Sequence, residues 1–417
     1  MKKVISILAI AAITTSTFSS AAVAASIQPG VIDKQMRMPE LPANLGEAPQ
    51  VQGLPSQIGT DGNASGYGQL PPLNSITFNG STILSSQELN AIGDNYLDRP
   101  INGNDIERLK FDITKAYADK GYILVKVATP SNGLGTPNLI VNIYEGKVGR
   151  VIVESNTIAH YVPEAFAHDL GNGVFDEKKA AEVLNDLNEI KNTNSSITLK
   201  PGLEPITTDV ILNVKDQPGE DENYIGVDNY GAKLTGELQA DVHLEKSNAL
   251  GLGEKLDFDG RISEDNLWGA GGGIKIPTGF WNTYAEADYS YSENEIGDNL
   301  AFLNAEGESH VGQVAISGNL VNNNFNKVNL RSGLQVRNHK SLLNGATNDY
   351  DKLRKLFIEG SYLGLGTDTL WLLSGRVSKG MDFLGASKGG EAKRTRLQGD
   401  PEAWIFEPTA FVRHNIT

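Results

Sequence analysis

The hydrophobic pattern between Ser75 and Tyr144 changes from strand-like to helix-like and back. A strand-like run at Ser75 to Asn79 precedes Ser85-Ser86-Gln87-Glu88, whose spacing is that of a helix capping box. A second helix is predicted to start at Asn104, with Glu107 three residues on and an apolar stripe at helical spacing. Two strands follow, at 122–128 and 138–144. The predicted order is therefore β-α-α-β-β.

The same order of elements repeats at once in the following residues. The pattern predicts a strand, two helices and two further strands, and this return of one order favours two tandem modules of one architecture over a single mixed domain. The predicted segments are 148–154, 163–170, 177–190, 195–200 and 208–215.

Beyond Gly219 the pattern becomes strictly alternating. Leu238, Ala240, Val242 and Leu244 are separated by polar residues, and similar segments lie at 255–263, 312–320 and 328–337. A soluble sandwich also alternates and stays open on pattern alone. The segment lengths near 9–11 residues and the densely charged polar face favour membrane strands around a watery lumen. Aromatic residues near segment ends or at outward positions would form interface girdles: Trp268, Trp281, Tyr284, Tyr289, Tyr291 and Trp371.

The N-terminus has the features of a secretory signal peptide at residues 1–24. Lys2 and Lys3 precede an apolar run from Val4 to Ile13, and Ala22-Val23-Ala24 offers a small-residue cleavage site. A membrane anchor is the alternative, but the apolar run is well short of the roughly 20 residues that a spanning helix needs. Residues 25–74 are rich in Pro, Gly, Gln and Asn, which predicts a flexible linker with room for a short helix near residues 33–37.

Composition removes several classes of site. The formal charge of −15 disfavours nucleic acid as a partner, and the absence of cysteine excludes disulfides and thiol chemistry. The six histidines are dispersed, so we predict no metal site and no cofactor. The sequence also has no acid and base at a spacing that would suggest an enzyme. Gly269 to Gly273 cannot cradle a phosphate, because the residues after it cannot open a helix.

Several short motifs, in this order, resemble one known family. The chain is similar to the two-partner secretion transporters, the haemolysin secretion and activation family ShlB/FhaC/HecB, whose periplasmic repeats are POTRA domains. The motifs are Tyr144-Glu145-Gly146-Lys147-Val148, Leu184-Asn185-Asp186-Leu187-Asn188, Leu199-Lys200-Pro201-Gly202, Asp228-Asn229-Tyr230-Gly231, the run from Asn248 to Glu254, and the run from Ser378 to Ala386.

The resemblance implies two tandem α+β POTRA modules followed by an antiparallel transmembrane β-barrel. Family members close their barrel with about sixteen strands, within the range of outer-membrane barrels, whereas about ten candidates are found in this chain. The family's Val-Arg-Gly-aromatic loop has no match, and the chain ends without a terminal aromatic residue. We therefore expect an incomplete barrel from a truncated or split transporter that cannot form a working pore alone. The expected domains are signal peptide 1–24, linker 25–74, modules 75–145 and 146–217, and barrel 218–417.

The resemblance also implies an outer-membrane location, with the modules in the periplasm, and a function. The modules would bind an unfolded exoprotein, a haemolysin or adhesin, by adding its backbone to the strand edge at 195–200. Ile197 and Leu199 would contact it, unless they are simply module core. The other expected partners are outer-membrane lipids and the barrel-assembly machinery. The lumen would be lined by charged residues that act on the passenger or are merely solvated: Asp241, His243, Asp257, Asp259, Arg261, Arg331 and Arg337.

Three other functions remain open at this point. A barrel-assembly factor also combines POTRA modules with a barrel, although such factors usually carry more than two modules. A non-functional truncated fragment and an enzyme at the barrel rim are the others. Loss of many barrel proteins, rather than of one exported protein, would distinguish the assembly factor.

Overall fold

The structure is a computed structural model, and it describes most of the chain after Leu70. The predicted signal peptide, most of the predicted linker and the short helix near residues 33–37 lie outside the described residues. The described ranges are 51–52, 70–130, 136–156, 161–171, 173–190, 193–216, 221–265, 267–280, 282–391, 394–395 and 399–414.

The first module has the predicted β-α-α-β-β order. Its elements are β2 (Ser75–Asn79), α1 (Ser86–Gly93), α2 (Gly103–Asp119), β3 (Val125–Ala128) and β4 (Asn138–Glu145). The three strands form one sheet in the order β2-β4-β3, and both helices pack apolar side chains against it to make a closed core. The element order and the core agree with the period-3.6 and period-2 patterns of the sequence.

The two helix starts of this module test the capping predictions. Ser85 and Glu88 form the predicted capping box at the start of α1. The α2 prediction is wrong in detail, because the box is made by Asn102 and Asp105 rather than by Asn104 and Glu107. Asn and Asp serve as well as Ser and Glu here, since any short side-chain oxygen can accept from the free N–H groups of a first turn.

The second module repeats the order of the first. Its elements are β5 (Lys147–Ser155), α3 (Tyr161–Ala167), α4 (Glu177–Glu189), β6 (Thr193–Pro201) and β7 (Thr207–Asp216). Its sheet has the order β6-β7-β5, and a short strand β1 (Val51–Gln52) pairs with β6 in parallel. The edge of β6 that does not pair with β7 is therefore partly covered by β1, whose residues precede the first module in the chain.

The two modules are joined through backbone contacts at two glycines. Gly121, at φ +100°, accepts from Glu177 N at 2.8 Å, and Gly146 N donates to Leu124 O at 2.6 Å. A Cβ at Gly121 would lie 2.9 Å from Lys178 Cγ, and a Cβ at Gly146 would lie 2.6 Å from Leu124 O. Glycine is needed at both places because the chains approach this closely.

The rest of the chain forms one antiparallel sheet of ten strands in sequence order, from β8 to β17. Each strand pairs with its neighbours in the chain, so the sheet is an up-and-down meander. The strands are β8 (Tyr224–Asp228), β9 (Gln239–Ser247), β10 (Lys255–Ser263), β11 (Leu267–Pro277), β12 (Thr283–Glu295), β13 (Ala305–Asn322), β14 (Asn326–Leu343), β15 (Ala346–Leu365), β16 (Thr369–Gly380) and β17 (Trp404–His414).

This sheet exposes apolar side chains and buries charged ones, which is the reverse of the pattern in a soluble protein. Ile316 and Ile358 are 62% and 58% exposed, whereas Glu245 and Arg376 are 3% and 9% exposed. Such an arrangement places hydrocarbon outside and water inside. The predicted fold class, POTRA architecture followed by an incomplete antiparallel barrel of about ten strands, is confirmed. Among the described residues, no helix has the length and apolar character needed to cross a membrane.

Candidate functional site

The inner face of the sheet, where the charged side chains are buried, carries a chain of alternating charges across β12 to β16. Arg331 Nε lies 2.6 Å from Glu286 Oε2, and its other nitrogens lie 3.6 Å from Asp288 and 3.9 Å from Glu359. Arg376 lies 3.8 Å from Glu359 on the opposite side. Glu359 thus stands between two arginines, because Arg331, Glu359 and Arg376 are direct register neighbours on adjacent strands.

An aromatic ring lies within this charged row. Phe357 is 2% exposed, and the guanidinium of Arg376 lies 3.8 Å from its ring centroid while that of Arg331 lies 5.3 Å away. Arg376 also donates to Gln313 at 3.0 Å. The two arginines are held by both carboxylate and ring contacts, so the wall of the lumen is polar and ordered at this level.

A second group of paired charges lies across β9 and β10. Arg261 lies 2.5 Å from Asp241, and His243 Nδ1 lies 2.7 Å from Asp259 Oδ1. Lys255 pairs with Glu245 at 2.8 Å. Each pair joins two neighbouring strands on the inner face, so charge is present along the wall but is locally compensated.

The glycine run has a packing role in β11. Gly273 lies in register between Asp257 and Asp288, and a Cβ there would come within 2.8 Å of the first carboxylate and 2.6 Å of the second. The run is a strand and not a phosphate-binding loop, as predicted. Its lack of side chains leaves room for the two carboxylates on the inner face.

All seven residues predicted to line the lumen lie on the inner face of the sheet, as their positions in the paired strands require. Asp241, His243, Asp259, Arg261 and Arg331 take part in the ion pairs described above. Asp257 faces Gly273, and Arg337 lies half-buried on the same face of β14 as Arg331. The contact of these residues with a transported polypeptide stays a prediction.

Sequence reasoning missed the strongest part of the charged row. Glu286, Glu359 and Arg376 were not predicted, although they lie at inward positions of β12, β15 and β16. In β12 the alternating partners of Glu286 are Ala285 and Ala287, which give only a weak apolar signal. Strands whose outward residues are small therefore hide their inner face from pattern analysis.

The aromatic prediction is partly wrong. Trp268 and Tyr289 face outward and are about half exposed, and Trp268 contacts Tyr291 at 5.0 Å between ring centroids. Tyr284, by contrast, is 4% exposed and faces inward, on the same side of β12 as Glu286. Its neighbour Lys275 lies 4.3 Å above its ring. Parity within the strand, and not nearness to a strand end, decides which side an aromatic ring faces.

The predicted partner contacts on β6 also need a correction. Ile197 and Leu199 are buried in the core of the second module, so their side chains are not available to a partner. They alternate with the half-buried Thr198 and the exposed Lys200, as expected for a strand with one face on the core. The edge of β6 itself is used, since Val51 pairs with Ile197 and Gln52 with Thr198.

Two family models match the chain. Residues 207–407 match the model described as haemolysin secretion/activation protein ShlB/FhaC/HecB, and residues 72–146 match the POTRA domain, ShlB-type. The outer membrane transporter CdiB of Dickeya dadantii is 23% identical over 355 residues, which are 81% of this chain and 62% of that protein. The heme/hemopexin transporter protein HuxB of Haemophilus influenzae is 22% identical, over 69% of this chain and 50% of that protein.

A solved structure shares the fold. The structure of CdiB from Escherichia coli superimposes with a TM-score of 0.69 at 18% identity, covering 90% of this chain and 70% of that one. The chain spans between half and about three fifths of the length of the first curated relatives that it matches.

The resemblance predicted from the motifs is confirmed by these matches. The matched POTRA range, 72–146, contains all the elements of the first module, and the longer range, 207–407, runs from β7 of the second module into β17 of the ten-stranded sheet. The protein lies in the cell outer membrane with its helix-bearing modules on the periplasmic side. The chain therefore resembles the haemolysin secretion/activation proteins ShlB/FhaC/HecB over residues 207–407 and carries a match to the ShlB-type POTRA domain at residues 72–146.

Proposed function

We propose that this protein is the outer-membrane transporter of a two-partner secretion system, which passes one unfolded exoprotein of the haemolysin or adhesin type through its barrel. The unit from Lys147 to Asp216 is then a second POTRA module, since it repeats the element order of the first. The transporter needs no catalytic group, because its work is recognition and passage.

One observation carries the proposal: the charges of the inner wall on β9–β10 and on β12–β16 are ion-paired with one another. Arg331 contacts three carboxylates, and Arg376 contacts Glu359 and Gln313. A wall whose charges are already compensated is wetted but binds no charged group strongly. That character suits a long polypeptide of mixed charge, which must move past the wall without stopping at any one site.

Recognition is proposed to occur at the edge of β6. The support is that β1 already adds to this edge as an extended segment, paired at two residues only. An exoprotein segment could replace so short a strand and pair with more of the nine residues of β6. Its contacts would be backbone hydrogen bonds, with Thr198 and Lys200 beside them, and not the buried Ile197 and Leu199.

The test is export in a Gram-negative host that carries this chain, any barrel strands encoded next to its gene, and the large exoprotein encoded there. Deleting residues 75–215 is expected to abolish the appearance of exoprotein in the medium while the sheet still reaches the outer membrane. Phe111→Ala, which changes an exposed residue of α2, is the control for nonspecific damage. Continued export by the deletion variant, or loss of many outer-membrane proteins when the chain is depleted, would contradict the proposal.

A further inference from the structure

The second module is held to the rim of the sheet by one helix. Near its C-terminal end, α4 meets the turn after β11 and the hairpin between β13 and β14. Asn185 donates to Asn322 O at 2.9 Å, and Asn322 Nδ2 donates to Asp186 Oδ1 at 2.7 Å. Among the described residues this is the main place where a helix of the modules touches the sheet.

Asp186 is at the centre of this joint. Its side chain is 1% exposed, although it is a carboxylic acid. Asn319 Nδ2 donates to Oδ1 at 2.9 Å, in addition to Asn322, and Asn282 Nδ2 donates to Oδ2. The donors are therefore three carboxamides of the rim, and no cation contacts this carboxyl directly among the described residues.

A second carboxylate shares the same donors. Glu189, one turn along α4, accepts from Asn319 at 3.1 Å and from Asn322 at 2.7 Å. Lys327 on β14 pairs with Glu189 at 2.6 Å. The one cation in direct contact is thus engaged by Glu189, and the negative charge of Glu189 acts on Asp186 from within the same helix.

The remaining polar groups around the joint lie deeper in the sheet. Tyr284 on β12 is buried beneath α4 and interacts with both carboxyls, and Lys275 on β11 interacts with Glu189, Glu286 and Lys327. Lys275 and Glu286 face the lumen side of the joint, so neither neutralises Asp186 directly.

One unpaired atom fits a protonated carboxyl. Asn282 Oδ1 is buried and has no hydrogen-bond partner among the described residues. Protonation of Asp186 Oδ2 would favour a half-turn of this carboxamide, which brings its oxygen against the acid in place of the donating Nδ2. An oxygen there can bond only to a protonated Asp186, because an ionised carboxylate has no hydrogen to donate.

We propose that the joint between α4 and the periplasmic rim is a proton-responsive latch, in which the second module is docked on the rim while Asp186 is protonated and is released when Asp186 ionises. The latch is a property of this fold and does not depend on the identity of any exoprotein.

The direction follows from linkage. Burial is the largest cause that raises the pKa of Asp186, from 3.8 to about 7 in the docked state. When α4 leaves the rim, Asp186 becomes solvated and its pKa returns towards the ordinary value. The docked state then binds the proton more tightly, so the ratio of released to docked module rises about tenfold per pH unit up to about pH 7 and is constant above it.

The test uses the full chain in lipid nanodiscs with two spin labels. The chain has no cysteine, so Asp169→Cys on the second module and Thr367→Cys on the exposed turn after β15 give a single labelled pair. Pulsed electron resonance would measure their distance distribution between pH 5 and pH 8. We expect a narrow docked distance at pH 5 and a released population that increases about a hundredfold relative to it by pH 7.

Asp186→Asn should stay docked at every pH, because the amide mimics the protonated acid and can donate to Asn282. Glu164→Gln, which changes an exposed acid of α3, should respond as the unmodified chain does. If Asp186→Asn does not insert, Glu189→Gln offers a second route, since removing the neighbouring negative charge should lower the pKa of docked Asp186 and move the midpoint to lower pH. A distance distribution that is constant from pH 5 to 8, or an Asp186→Asn variant with the original pH response, would overturn the latch.

Discussion

β6 in the second module and β13 in the sheet have the same alternating pattern but opposite orientation. In β6, Ile197 points into the core and Lys200 to solvent, whereas in β13 Ile316 points outward and Ser317 is 3% exposed. Both strands satisfy the hydrophobic effect, because the outer surface of one meets water and that of the other meets lipid. The difference teaches that period two identifies a two-faced strand without saying which face is inside.

The largest expected effect is a loss of stability in the second module when a buried leucine is truncated, and the same kind of truncation should have little effect in the sheet. Leu212→Ala removes a fully buried side chain from β7 and is expected to destabilise the second module by about 2–5 kcal/mol. Ile316→Ala in the sheet leaves no cavity, so about 1 kcal/mol or less is expected there. Region-resolved hydrogen exchange of both variants in nanodiscs would measure this. Equal effects would mean that Ile316 is packed in protein and not exposed to lipid.

A buried carboxylate in the first module should behave in the opposite sense to Asp186. Burial acts to raise the pKa of Glu145, but hydrogen bonds from Thr82, Ile83 and Tyr117 outweigh it and leave the pKa below 4.5. A lowered pKa means that the stabilisation is complete above pH 4.5 and is lost as pH falls through the folded value.

Glu145→Gln should therefore cost the first module about 1–3 kcal/mol at pH 7 and remove this loss at low pH. Hydrogen exchange of residues 75–145 between pH 3 and pH 7 is the measurement, and Asp119→Asn, which changes an exposed acid at the end of α2, is the control. A variant that keeps the acid sensitivity would show that another group is responsible.

Breaking the charged row of the lumen should have a smaller effect, because water reaches its members. Arg331→Met leaves Glu286 without its closest cation and is expected to cost about 1–2 kcal/mol. Adding Glu286→Gln should restore part of this, since the orphaned charge is then removed. Urea unfolding followed by tryptophan fluorescence reports on this half, where all four tryptophans lie. An additive double variant would argue against a coupled pair.

The smallest effect concerns the start of α1. Ser85→Ala removes the hydroxyl that accepts from Glu88 N, while Glu88 can still accept from the Ser85 backbone N–H, and should destabilise the first module by about 1 kcal/mol. Ser86→Ala, one residue on, lacks that role and should change stability by a few tenths of a kcal/mol at most. Hydrogen exchange of α1 compares the two, and indistinguishable exchange would exclude the cap.

A feature of the fold or of the candidate site could be predicted from the sequence when the residues that encode it are close together in the chain. The capping box at Ser85, the element order of both modules and the strands around Leu244 and Ile316 were predictable, because each is encoded within a few residues. The burial of Tyr284, the edge contact of Val51 and the carboxamides around Asp186 were not. These features depend on contacts between residues that are far apart in the chain. Asn282, Asn319 and Asn322 form a group only because all three donate to Asp186 of α4 in the folded protein.

The central claim is that the sheet after Gly219 has lipid on one side and water on the other. Single spin labels at each position from Gln313 to Leu320 of β13, in nanodiscs, can be probed with oxygen, which concentrates in lipid, and with a water-soluble nickel chelate. The account predicts alternation, with Val314, Ile316 and Leu320 reached by oxygen and Gln313, Ala315 and Ser317 reached by the chelate or protected from oxygen. Uniform access to the chelate along β13, or the opposite phase, would contradict it.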